Sequence, residues 1–226
     1  ACKGGENMKG LMKNNFYAAL SSARVFSAIM LLLGIFVAAM DNVIPSLLIG
    51  YILSVIMGFS ANGVFALDKE NASRWRKYKM TAPVSRKQIV GSYFINLLLC
   101  LLTGIIFAGI FTYLSVSIHG FPFDRSTDVL NLFSVGISIS LFMGAVFFPL
   151  FYLGGDEIVE AAFLVISLFS AIGIVMGIIS LLNRFFGPKM TVEEIILGAC
   201  ILIVSSAAVF AVSYPLCVAI FRKKEY

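Results

Sequence analysis

The sequence predicts an all-α integral membrane protein with six transmembrane helices, an amphipathic interfacial helix at the N-terminal end, and both termini in the cytoplasm. Three observations lead there. The 226 residues are 60% hydrophobic and only 13% charged, against roughly 45–50% apolar and about 25% charged in soluble domains, and the mean hydropathy is +0.97. Several stretches of 18 or more residues are almost free of charge, the length a helix needs to cross a hydrocarbon core about 30 Å thick. The basic residues, finally, are gathered into a few short segments between those stretches.

Ala1–Asn7 are polar, precede Met8, and read as a remnant or a processed start. No cleavable signal peptide is expected, because the first apolar run follows some twenty residues and has no small-residue cleavage site. From there Met8, Leu11, Met12, Phe16, Ala19, Leu20 and Ala23 recur at helical spacing, with Lys9, Lys13, Asn14, Ser21 and Arg24 on the other face. That pattern predicts an amphipathic helix lying in the membrane interface, within an N-terminal segment 1–24.

The transmembrane domain is expected over 25–221. Its first span runs from about Val25 to Met40, and Asp41, Asn42 and Pro45 turn the chain. The second covers about Ser46–Leu67. A short, basic surface helix follows over about 68–80, DKENASRWRKYKM, ended by Pro83, which also pushes Ala82 toward extended geometry. The third span covers about Ile89–Ile118, long enough to tilt, and His119–Arg125 form a loop. The fourth is about Val129–Leu153, the acidic turn Gly154–Glu157 comes next, and the fifth is about Ile158–Leu182. Asn183–Met190 make a loop broken by Gly187 and Pro188; the sixth span is about Ile195–Phe221, and 222–226 form a tail.

With six spans both ends lie on one side. The N-terminal segment, residues 68–90 and the tail hold fourteen of the 17 lysines and arginines, and the loops on the opposite side hold Arg125, Arg184 and Lys189. By the positive-inside rule both termini and the basic segment face the cytoplasm. The net charge of +5 thus has a membrane origin, and no nucleic-acid partner is expected.

Catalytic and ion-binding signals are sparse. Cys2, Cys100, Cys200 and Cys217 have no metal spacing, and the single histidine, His119, falls in a loop. Glu193 and Glu194 head the last span like the paired glutamates of an intramembrane protease, but no histidine on another helix exists to help activate water. An acidic first turn complementing the helix dipole is the plainer reading. Apart from Glu160 in the first turn of the fifth, the spans hold no Asp, Glu, Lys, Arg or His, and Asn62, Asn96 and Asn131 are their strongest polar groups. Ion-coupled transporters place an ionisable residue near the midplane, so transport here would draw energy from outside the bilayer. The chain has no phosphate-binding loop of the G-x-x-x-x-G-K-[ST] type, so no nucleotide or other cofactor is expected in this chain. A separate ATPase would have to dock on the cytoplasmic face.

The basic segment suits such a docking. Arg74, Trp75, Arg76, Lys77 and Tyr78 combine the aromatic and arginine side chains enriched in protein interfaces. Pro83 stiffens the corner into the third span, with Ser85 and Gln88 spaced as a capping box, and Arg86 and Lys87 can reach lipid phosphate or Glu70.

The stretch from Asp68-x-Glu70 through Trp75 to Thr81-Ala82-Pro83-Val84-Ser85-Arg86-x-x-Ile89-Val90 resembles the permease subunits of ABC-2-type transporters. It is similar in particular to small bacterial permeases that export phenol-soluble modulins and related peptides. Ala82 stands where leucine is commoner. The motif covers about residues 68–93 and the hydropathy pattern the whole chain. The resemblance implies a bacterial cytoplasmic membrane and a permease dimer paired with two ATPase subunits that carry ATP and magnesium. It also implies a coupling helix over 68–80, with Glu70, Arg74, Trp75, Lys77, Tyr78, Pro83 and Arg86 in the coupling region, and a second contact at Asp156 and Glu157. The first and fifth spans would form the dimer contact, where Gly173 and Gly177 are spaced as GxxxG; packing within the chain is an equal use for them.

The cargo expected is an amphipathic or hydrophobic peptide. Among 21 phenylalanines, Phe107, Phe111, Phe142 and Phe147 are candidates to line its path. Two other classes stay open: an ATPase-independent channel or assembly factor, and an intramembrane enzyme.

Overall fold

The computed structural model describes residues 3–40, 46–72, 86–120, 126–154, 157–187 and 191–223. Among them are six helices: α1 (Lys3–Met40), α2 (Ser46–Ala72), α3 (Arg86–His119), α4 (Ser126–Gly154), α5 (Glu157–Phe186) and α6 (Val192–Lys223). All six contain a segment long and apolar enough to cross a membrane, as the composition predicts.

Several helix limits differ from those expected. Helix α2 continues past Leu67 to Ala72, taking in the first residues of the helix expected over 68–80, and α3 and α4 begin early, at Arg86 and Ser126. The interfacial helix and the first span run as one helix, Lys3–Met40, with no break at Arg24, because no proline or glycine pair interrupts the chain there. Its 38 residues rise about 57 Å, nearly twice the hydrocarbon thickness. Ala23–Met40 is long and apolar enough to span. The fifth span continues past Leu182 to Phe186. Asn183 and Arg184 are polar but helix-compatible, and the helix ends only at Gly187, whose φ of 81° suits glycine and whose N–H bonds to Asn183 O at 3.0 Å. Gly120 closes α3 in the same way, with φ 83° and a bond to Val116 O.

The sixth helix starts earlier than expected, at Val192. Thr191 and Glu194 cap it reciprocally: Thr191 N–H donates to Glu194 Oε2 at 2.7 Å, and Glu194 N–H donates to Thr191 Oγ1 at 3.4 Å. This T-x-x-E capping box is written in the sequence and occupies one of the two glutamates that raised the protease reading.

Helix α4 packs most extensively on α6, α2 on α3, and α1 against both α2 and α3. Lipid tails are as apolar as leucine, so such contacts rest on close packing and hydrogen bonds more than on burial of oil. The α2–α3 crossing shows how. A Cβ on Gly63 would lie 3.1 Å from Leu97 Cα, and one on Gly104 would lie 3.2 Å from Ile56 Cα. One glycine on each helix thus lets backbone meet backbone, and Asn96 Nδ2 reaches Gly63 O at 3.1 Å across the gap. Hydroxyls elsewhere bond back to their own helix: Ser60 to Ile56 O, Thr112 to Ala108 O, Ser140 to Gly136 O. No water is needed to satisfy them.

A proline joins α4 to α6. Pro149 lies inside α4 and has no N–H for the carbonyl four residues back, that of Ala145. Ser213 of α6 supplies the missing donor, its hydroxyl bonding Ala145 O at 2.8 Å. One serine repairs another helix's broken ladder and pins the two together.

Candidate functional site: the aromatic core and the corner between α3 and α6

Helix α3 begins at Arg86, on the C-terminal side of the basic segment and of residues 81–85. The Arg86 Nη1 donates to Phe221 O and to Arg222 O, each at 3.2 Å, and its guanidinium carbon lies 5.6 Å from the centroid of the Phe221 ring. The last carbonyls of a helix have no partner within it and carry its partial negative charge, so a cation from α3 caps the end of α6. Two turns further back along α6, Tyr214 Oη donates to Lys87 O at 3.2 Å. The sequence pointed Arg86 at lipid phosphate or Glu70; the structure gives its guanidinium to α6.

Behind this corner lies a ring cluster. Phe94 of α3 stacks on Phe148 of α4 at 4.5 Å between centroids and meets Phe210 and the edge of Tyr214, both on α6, at 4.8 and 5.5 Å. Tyr152 packs on Phe221 at 5.3 Å, and Ser206 reaches Ser138 at 3.4 Å. Offset and edge-on ring pairs each add about 0.5–1.5 kcal/mol beyond the area they bury. The start of α3, the end of α4 and the end of α6 are therefore cross-braced by polar and aromatic contacts.

The four candidate path phenylalanines fall into different surroundings. Phe147 sits in this α4 cluster, against Phe148 and Phe151 at 6.0 and 5.8 Å, and Phe142 is buried in the core beside it. Phe107 and Phe111 are half-buried on the other side of α3, in a second ring group with Phe59 and Tyr51 of α2. Phe26 of α1 meets Phe59 edge-on at 5.1 Å, and Tyr51 Oη donates to Met30 O at 3.2 Å. Within one chain, then, Phe142 and Phe147 are enclosed by neighbouring side chains, while Phe107 and Phe111 keep partial access to the surroundings.

Of the expected coupling residues, Arg86 is described in full. Arg74, Trp75, Lys77, Tyr78, Pro83 and Asp156 lie outside the described residues. Glu70 falls in the last turn of α2 and Glu157 at the first residue of α5, and their side chains lie outside the described set. His119, read as a loop residue, ends α3, and its Nε2 is 2.8 Å from Ala38 O of α1.

The sequence reading missed the cap on α6 and the serine–proline link between α4 and α6. Each joins residues far apart in the chain, and no local motif marks either.

No curated protein and no solved structure matches this chain. The family model described as ABC-2 family transporter protein matches residues 10–222, which takes in all but the extreme ends. Proteins of this kind are the multi-pass membrane subunits of ABC transporters, working with a separate ATPase subunit. On the strength of that match, and of six helices long and apolar enough to cross a membrane, the chain belongs to the ABC-2 transporter family as a transmembrane permease subunit.

Proposed function

We propose that this permease is the membrane half of an exporter, moving an amphipathic or hydrophobic peptide outward by alternating access. ATP closure of the partner subunits would drive it through residues 68–80, with Asp156 and Glu157 as a smaller second contact. Two copies of the chain would enclose the path between them at the bacterial cytoplasmic membrane, with both termini inside.

The observation that carries this reading is the Arg86 cap. Arg86, separated from residues 68–80 by residues 81–85, is bonded to the last carbonyls of α6, and α6 is in turn bonded to α4 through Ser213. A displacement of the segment would therefore reach three spans together. The absence of ionisable groups from the middle of the spans supports an external energy source over an ion gradient. The engagement of Glu194 in the α6 cap speaks against an intramembrane enzyme.

The double substitution Glu70→Ala with Trp75→Ala tests the coupling. Expected is loss of the co-purifying ATPase, or ATP hydrolysis that no longer exports peptide from inverted vesicles. Normal complex formation with normal export would sink the assignment of 68–80. A chain that carries peptide or ions in vesicles without any ATPase would favour the channel reading.

A further inference from the structure

At the same corner a groove of about 350 Å³ lies between α3 and α6, lined by Lys87, Tyr214, Pro215, Val218, Ala219 and Arg222. Lys87, Pro215, Ala219 and Arg222 are exposed, while Val218 is buried as its floor. Positions 215, 218, 219 and 222 fall on one face of α6, so the groove runs along that helix for about 10 Å.

We infer that this groove binds one anionic glycerophospholipid, its phosphate between Lys87 and Arg222 and its acyl chain along Pro215, Val218 and Ala219. The order of residues along the groove argues for a lipid. Arg222 lies in the last turn of α6 and Lys87 in the first turn of α3, at the helix ends where the spans leave the hydrocarbon, and the apolar residues of α6 lie further in. That gradient along the groove, from a positive end shared by the two helices to an apolar face of α6, matches a phospholipid lying parallel to the span. A free phosphate would have no use for the apolar length.

The cations are available for this role. Neither Lys87 nor Arg222 is paired with a carboxylate among the described residues, and the Arg86 guanidinium beside them is already committed to the α6 carbonyls. Lys87 also lies in the first turn of α3, where the helix adds its own partial positive charge. Tyr214, held to Lys87 O, keeps the two walls in register. The bonds from Arg86 go to backbone oxygens, so replacing the Arg222 side chain leaves the cap intact.

Lipid binding to the 226-residue chain in mild detergent tests the site, read by native mass spectrometry and by the melting temperature. Phosphatidylglycerol, phosphatidylcholine and inorganic phosphate are titrated separately. The wild-type chain is expected to retain phosphatidylglycerol and to be stabilised by it more than by phosphatidylcholine, with inorganic phosphate giving no shift. Lys87→Gln with Arg222→Gln should weaken phosphatidylglycerol binding about thirtyfold, which corresponds to about 1 kcal/mol for each basic residue facing anionic headgroups. Lys223→Gln, one residue beyond the groove lining, should bind as the wild type does.

Equal retention of the two lipids, or unchanged binding in the double variant, would overturn the proposal. So would a loss in Lys223→Gln as large as in the double variant, which would mean general attraction to a positive surface. A full shift with inorganic phosphate would replace the lipid with a free anion. The readout is binding alone, so a failure of the exporter reading leaves this result untouched, and the reverse also holds.

Discussion

Helices α4 and α5 are neighbours in the chain and of nearly equal length, 29 and 30 residues, yet they live in different surroundings. Of its spanning window α4 buries 56% and α5 only 17%. Apolar content does not separate them. Gly136, Gly144 and the buried Ser134, Ser138 and Ser140 turn α4 toward its neighbours, and Pro149 leaves a carbonyl that α6 completes. On α5, Phe169, Met176, Leu181 and Phe185 are exposed, and a Cβ on Gly173 or Gly177 would meet nothing within 4 Å. In water such a face would be a liability; in a bilayer it costs nothing, and small and polar residues rather than oily ones mark the inside. Among the described residues, then, Gly173 and Gly177 meet no neighbouring helix.

The largest test of this contrast lies at the α2–α3 crossing, the counterpart of the α4 packing. Gly104→Val is expected to cost about 3 kcal/mol, because the new atoms would press on Ile56 Cα and Val55 O, backbone that cannot rotate aside. A melting temperature close to wild type in detergent would show that the crossing is not held by close approach.

A smaller effect, about 1 kcal/mol, is expected for Ser213→Ala. It should shrink in a Pro149→Ala background, where residue 149 regains the N–H that Ala145 O lacks. Additive effects in this double-mutant cycle would sever the link between the serine and the proline.

The smallest effect is expected on the open face. Gly173→Ala with Gly177→Ala should change the stability of the isolated chain by less than about 0.5 kcal/mol. A drop confined to the assembled transporter would assign that face to a partner. A drop in the isolated chain would break the contrast itself.

Much of this architecture is legible from composition. A span is a local property, about 20 apolar residues in a row, and all six can be read directly. Helix ends are also local where glycine or a capping box sets them. Gly187 was the stop for α5, although Asn183 looked more like one, and Thr191-x-x-Glu194 opens α6. What joins the spans is not local. Nothing near Arg86 says that its partners are Phe221 and Arg222, and nothing near Pro149 points to Ser213. The basic segment with Trp75 stands out strongly in the sequence, because charge is costly inside a bilayer and is therefore gathered between the spans. Its partner, however, would be another protein.

The Arg86 cap has a consequence for how the protein is made. Arg86 and Phe221 are separated by 135 positions, and at synthesis rates of about 5–20 residues per second α6 emerges on the order of ten seconds after α3. Through that interval the guanidinium has no carbonyl to cap, and phosphate groups of the surrounding leaflet are its natural stand-ins. The bond closes only once α4, α5 and α6 have been inserted, so the corner next to the basic segment takes its final form last, when every span that it would move is already in place.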